Sequence, residues 1–122
     1  MLIQKETSTN NINIRGYRPG AIRINDKDYQ SPILVSAAKL EEYTEVASFH
    51  QLTAAKLRDM VNDDTELLLL GCGEKHAFLP PKETAELLQR GIAVESMTTR
   101  NACHTFQVLV YENRKIIALL FP

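Results

Sequence analysis

Apolar and polar positions alternate with a period of two near the start of the chain, where Ile12 and Ile14 stand among Asn13 and Arg15. That is the pattern of a half-buried strand. A short first strand is therefore expected after the polar lead Thr7 to Asn11, closed by Gly16 and the turn Arg18-Pro19-Gly20. Ala21 to Ile24, the polar stretch Asn25-Asp26-Lys27-Asp28 and then Tyr29 read as a hairpin. Ser31-Pro32 interrupts the return arm and marks an edge or a bend, because proline cannot donate to a ladder. Ile33-Leu34-Val35 is extended again, so the first third of the chain is mainly β. Between Ala37 and Gln51, Tyr43, Val46 and Phe49 recur every third residue without a clear cap, and the pattern assigns no element there.

From Leu52 the period lengthens. Thr53 is a helix N-cap, and Leu52 and Leu57 occupy the two positions of a hydrophobic staple. Leu57, Met60 and Val61 form the apolar stripe of a short helix that ends near Asn62, before the Asp63-Asp64 turn. Leu67 to Leu70 is a continuous apolar run, the mark of a central strand covered on both faces, and Gly71-Cys72-Gly73 stops it. Pro80-Pro81 opens a second helix, in which Leu87 and Leu88 are expected to face inward and Gly91 to close it as a C′ residue. Ile92-Ala93-Val94 is expected as the next buried strand. Thr98 or Thr99 caps a third helix, where Ala102, Cys103, Phe106, Leu109 and Val110 fall on one face. Glu112-Asn113-Arg114 breaks that pattern, and Ile116 to Phe121 is a last apolar strand.

Helices alternating with short apolar strands, after an antiparallel β portion, predict an α/β fold with a parallel or mixed sheet covered on both faces. At 122 residues, with no repeat or linker, one domain over residues 1–122 is expected. Apolar residues at 44% and charged residues at 24% are those of a chain with a packed core. The net charge of -1 and the scattered Lys and Arg give no footprint for nucleic acid or an anionic membrane. Met1 to Glu6 lacks a basic start and apolar run, and no stretch approaches the roughly 20 apolar residues of a membrane span. A cytoplasmic protein without a transmembrane segment is the expectation. Two cysteines outside any CxxC pair are expected to be reduced thiols.

Candidate chemistry gathers where two strands would end on the same edge of a parallel sheet. Gly71, Cys72 and Gly73 leave one strand there, and Thr98, Thr99 and Arg100 begin a helix whose free N–H groups favour an anion. A small crevice for a phosphate or carboxylate is one reading. Ordinary strand termination and helix capping are the other. Cys72 followed by His76 invites a nucleophile and base reading, but no third group is signalled to orient the histidine. Cys103 falls on the apolar helix face and His104 on the solvent side. His50, His76 and His104 show no ligand spacing with the cysteines, so no metal and no cofactor is expected. Glu112 and Arg114 should lie at the opposite edge, where a local ion pair or contact with a protein partner are the two readings.

Several segments together resemble the domain of unknown function 498 family, which includes a mitochondrial complex I assembly factor. They are Ile24 to Tyr29 with Ser31, Leu68 to Gly73, Gly91 to Thr99, Ala102 to Leu109, Glu112 to Arg114 and Ala118-Leu119. The chain departs from the common pattern at Thr98, where an acidic residue is frequent, and at Phe106-Gln107, where Tyr-Asn is usual. Asn113 stands where glycine is common. The resemblance implies a three-layer fold around a central mixed sheet and no catalytic residues that carry over. It also implies a non-enzymatic, assembly-factor-like protein with a protein partner, and allows peripheral association with a membrane complex. Without the targeting extension of the mitochondrial relatives, the chain looks like a prokaryotic member.

Overall fold

The computed structural model describes residues 12–122; Met1 to Glu6 and the lead Thr7 to Asn11 lie outside the described residues. Eight strands and three α-helices follow one another among them. The strands β1 (Ile14–Arg18), β2 (Ala21–Ile24) and β3 (Lys27–Tyr29) form an antiparallel meander in that order. Next come β4 (Ile33–Val35), β5 (Leu40–Glu42), a 3-10 turn (Phe49–Gln51) and α1 (Ala54–Met60). The alternating part is β6 (Leu67–Cys72), α2 (Pro81–Gln89), β7 (Ala93–Met97), α3 (Thr99–Tyr111) and β8 (Ile116–Phe121).

The larger sheet runs β5-β4-β8-β6-β7. Its β8, β6 and β7 are mutually parallel, whereas β4 is antiparallel to both β8 and β5. The sheet is therefore mixed, and the fold is a three-layer α/β one. Alternation along β6 and β8 divides the core. Leu67, Leu69, Ala118 and Leu120 meet Ala102, Cys103 and Phe106 of α3 and Ile22 and Ile24 of the meander. Leu68, Leu70 and Leu119 meet Leu57 of α1 and Leu87 of α2 on the other face. Apart from Leu67, which keeps a small exposed edge, each such leucine is fully buried and stabilises the fold by about 1.5–3 kcal/mol.

The helix ends follow local chemistry. Thr53 accepts the Lys56 N–H at 3.3 Å, and Thr98 accepts that of Asn101 at 3.3 Å, so Thr98 rather than Thr99 caps α3. Both Gly91 (φ 81) and Asn113 (φ 62) take left-handed backbone just past a helix. After each, the next N–H returns to the last turn, Ile92 to the Leu87 carbonyl at 2.9 Å and Arg114 to that of Leu109 at 3.0 Å. These are Schellman closures. Asparagine tolerates the position better than other side-chain-bearing residues, which accounts for Asn113 there.

Three expectations need correction. Leu88 is exposed, because α2 turns a single narrow stripe, centred on Leu87, toward the sheet. The strand after α2 begins at Ala93 and is a half-exposed edge strand; Ile92 is buried because it packs beneath the helix end. By contrast, β6 is the covered interior strand that was expected, flanked by β8 at the middle of the sheet and by β7. Finally, β1 continues through Gly16, with a bulge between Ile14 and Gly16, and the hairpin loop shortens to Asn25-Asp26. The unassigned segment holds β5 and the 3-10 turn. There Gln51 Oε1 accepts the N–H groups of Ala47 at 2.6 Å and Ser48 at 3.1 Å, and Ser48-Phe49-His50-Gln51 is the overlooked local signal.

Candidate functional site

The parallel strands β6 and β7 bring Gly71, Cys72, Gly73, Thr98 and Thr99 together at their carboxyl ends. At the centre is Thr99, fully buried, whose Oγ1 accepts the Gly73 N–H at 2.8 Å and donates to the Phe121 carbonyl at 2.5 Å. The Thr99 N–H donates in turn to the Gly73 carbonyl at 2.9 Å. A methyl group on Gly71 would stand 3.0 Å from Leu120, 3.0 Å from Thr99 Oγ1 and 3.1 Å from Ala102. The polar groups at this edge are thus turned on one another, and the strand backbone sits directly under α3. Arg100 points away, its guanidinium 5.3 Å from the centre of the Tyr17 ring.

Cys72 and His76 do not form a pair. The Cys72 thiol lies 3.1 Å from the Met97 carbonyl and 3.2 Å from that of Lys75, and accepts the Ala77 N–H at 3.2 Å. His76 Nε2 lies 2.9 Å from the Ser96 carbonyl, while its ring leans on that of Phe78, with centres 4.5 Å apart and planes tilted by 41°. Both side chains fold the loop after β6 onto β7. Cys103 is buried on α3, and burial pushes its thiol up to about 12. Among the described residues, no group of three His, Cys, Asp or Glu side chains is placed to hold a metal ion.

Tyr17 carries an oddity that no sequence pattern announced: its hydroxyl oxygen is buried without a hydrogen-bond partner. Burial raises its pKa, as does the nearby Glu74, against the lowering effect of Arg100.

The opposite edge is more open. Arg114 pairs with Glu66 at 2.5 Å, and Glu66 also accepts the Lys115 N–H at 3.3 Å, which holds its carboxyl below the usual range. Glu112, the C-cap of α3, is exposed. Beside Arg114 a groove of about 410 Å³ opens between the Ser36–Lys39 turn and the end of α3. A second hollow of about 560 Å³ adjoins it, sharing Ala37, Ala38, Val110 and Asn113, with Tyr111 on its wall. The first hollow has Lys39, Glu41, Asp64, Arg114 and Lys115 on its walls; the second has no charged residue. Sequence reasoning reached Glu112 and Arg114 but not this groove. Its wall comes from a segment without periodicity that meets α3 only through the tertiary fold.

Residues 14–121 match the family model described as "Protein of unknown function (DUF498/DUF598)". A Francisella tularensis relative named "13 kDa major membrane protein" is 28% identical, with 98% of each chain covered. A Danio rerio relative named "NADH dehydrogenase [ubiquinone] 1 alpha subcomplex assembly factor 3" is 32% identical, over 99% of this chain and 70% of the relative. A crystal structure from Bordetella parapertussis superposes with a TM-score of 0.86 at 26% identity, covering 95% of this chain and 99% of the other. No helix among the described residues is long and apolar enough to cross a membrane.

Proposed function

The chain belongs to the DUF498/DUF598 family, and on that premise we propose that it is a non-enzymatic protein-binding module with an assembly-factor-like role. The observation that carries this reading is the two-lobed groove between the Ser36–Lys39 turn and the C-terminal end of α3. One lobe is lined with charges of both signs and the other with uncharged and apolar groups. Such a surface suits a polypeptide segment that presents both kinds of side chain. Arg114 is steadied there by Glu66, and Glu112 stands exposed at the adjoining end of α3. The carboxyl edge of β6 and β7, by contrast, has its polar groups engaged internally, which suits a role in joining α3 to the sheet.

The names of the relatives are what point to the kind of partner. One is named as an assembly factor of NADH dehydrogenase and another as a membrane protein. We carry over from them a partner belonging to a membrane-associated complex, and add as our own reading that the chain meets it from the cytoplasm.

Affinity capture from the native cells, comparing the wild type with Ala38→Arg, tests the proposal. Ala38 is exposed and lines both lobes, so the arginine fills the groove without entering the core. The expected result is a near-stoichiometric partner that is held by the wild type, reduced at least about tenfold by the variant, and rebinds when both proteins are purified. Equal capture by both forms, or none by either, would remove the groove from the argument.

A further inference from the structure

The described chain starts at the groove. Ile12 and Asn13 stand on the wall of the second lobe, with Val110 and Tyr111 of α3. Asn13 is pinned through both of its backbone groups: its N–H donates to Asn25 Oδ1 at 3.1 Å, and its carbonyl accepts the Asn25 N–H at 2.8 Å. Ile12 packs, half-buried, against the core cluster that contains Phe106 of α3. The chain that precedes Ile12 is therefore tethered at the mouth of the groove. Eleven residues precede it, and at ~3.3–3.6 Å each they reach roughly 36–40 Å, farther than hollows of about 410 and 560 Å³ extend.

Backwards from Ile12 the sequence changes character in the order that the groove does. Thr7 to Asn11 is polar without charge, and the second lobe has Asn13, Gln107 and Asn113 and no charged group. Lys5 and Glu6 come next, one of each sign, as the first lobe carries both signs. Met1-Leu2-Ile3 is apolar, and the first lobe also has Leu34, Met60 and Ile117 in its lining. We propose that residues 1–11 fold back into the two-lobed groove and act as an intramolecular placeholder that a protein partner has to displace. The placeholder role rests on the protein-binding reading and supplies its regulation; the docked position does not depend on it. A short tether holds the segment at an effective concentration of about 1 mM, so weak contacts suffice to fill the groove. The partner's apparent affinity then falls by the fraction of chains with the groove open, about tenfold where one in ten is open.

Disulfide trapping in the full chain tests this, because the bond forms only where two Cα atoms come within about 7 Å. In a Cys72→Ala background, with Cys103 buried, Gln4→Cys is combined with Lys39→Cys, exposed on the first lobe. The control combines it with His104→Cys, exposed on α3 and outside both lobes. With oxidised glutathione as oxidant and mass spectrometry as readout, the Lys39→Cys pair should close within one chain several-fold faster than the control. Leu2→Asp with Ile3→Asp should bring it down to the control rate. Equal rates for the two pairs, indifference to the aspartates, or a disulfide that joins two chains would overturn the docked position. Closing the disulfide should also lower capture of the partner several-fold, and reduction should restore it; unchanged capture would overturn the placeholder role. Trapping needs no partner, so the two readings fail separately: a chain that captures nothing but traps its own segment loses the protein-binding reading and the placeholder role, and one that captures without trapping loses only the docked segment.

Discussion

Gly73 and Thr99 hold each other reciprocally: the Gly73 N–H donates to Thr99 Oγ1 at 2.8 Å, and the Thr99 N–H donates to the Gly73 carbonyl at 2.9 Å. The same Oγ1 donates onward to Phe121, so one hydroxyl joins the ends of β6 and β8 to the first turn of α3. Replacing it with a methyl in Thr99→Val leaves a donor and an acceptor unpaired in a buried place. A loss of about 2–4 kcal/mol is expected in denaturant unfolding. Thr99→Ser keeps both bonds and should cost about 1 kcal/mol, the worth of the missing methyl. Equal losses for the two variants would mean that packing, not the hydroxyl, matters.

Gly71 lies under this junction with no room for a side chain. Gly71→Ala should push α3 away from β6 and destabilise the chain by about 1–3 kcal/mol, since Leu120 and Ala102 are themselves packed and have little freedom to yield. Thermal unfolding would record the loss, and an unchanged midpoint would show that α3 can shift freely.

At the other end of α3, the positive φ of Asn113 makes the side chain there costly for most residues. Asn113→Gly is expected to match the wild type or exceed it slightly, and Asn113→Ala to lose about 1 kcal/mol. Urea titration of the two variants decides this, and the reverse order would exclude the left-handed closure.

Cys103 supplies a pH dependence. Burial raises its thiol from 9.0 to about 12, so the fold favours the neutral form. The stability this confers is fully present below pH 9.0, the value taken for the unfolded chain, and is lost as pH rises from there toward about 12. In a Cys72→Ala background, Cys103 should resist a thiol reagent at pH 8 while the chain is folded and react readily in denaturant. Rapid labelling of the native protein would contradict its burial.

Much of this fold was legible because it is written in nearest neighbours. Thr53 and Thr98 cap helices through their own first turns, and the run from Leu67 to Leu70 has to be covered on both faces wherever it lies. Gly91 announces its left-handed backbone by lacking a side chain. The segment from 37 to 51 was opaque for the opposite reason. Strand β5 is three residues long and held by its pairing with β4, and Phe49 is buried by Phe121 from the far end of the chain.

The sequence by itself determined the order of the main elements, the helix ends and most of the core, Leu88 and the strand at Ala93 excepted, since these depend on period, capping and hydrophobicity along short stretches. It also placed Gly71 to Gly73 and Thr98 to Arg100 at one edge and Glu112 with Arg114 at the other. Only the tertiary structure decided that the first group is bonded to itself, that β8 lies at the sheet's centre, and that a groove opens beside Ala38. Those facts depend on which distant surfaces come within hydrogen-bonding or packing distance. Side-chain pattern specifies that an element must be covered, and the packing of the whole chain selects what covers it.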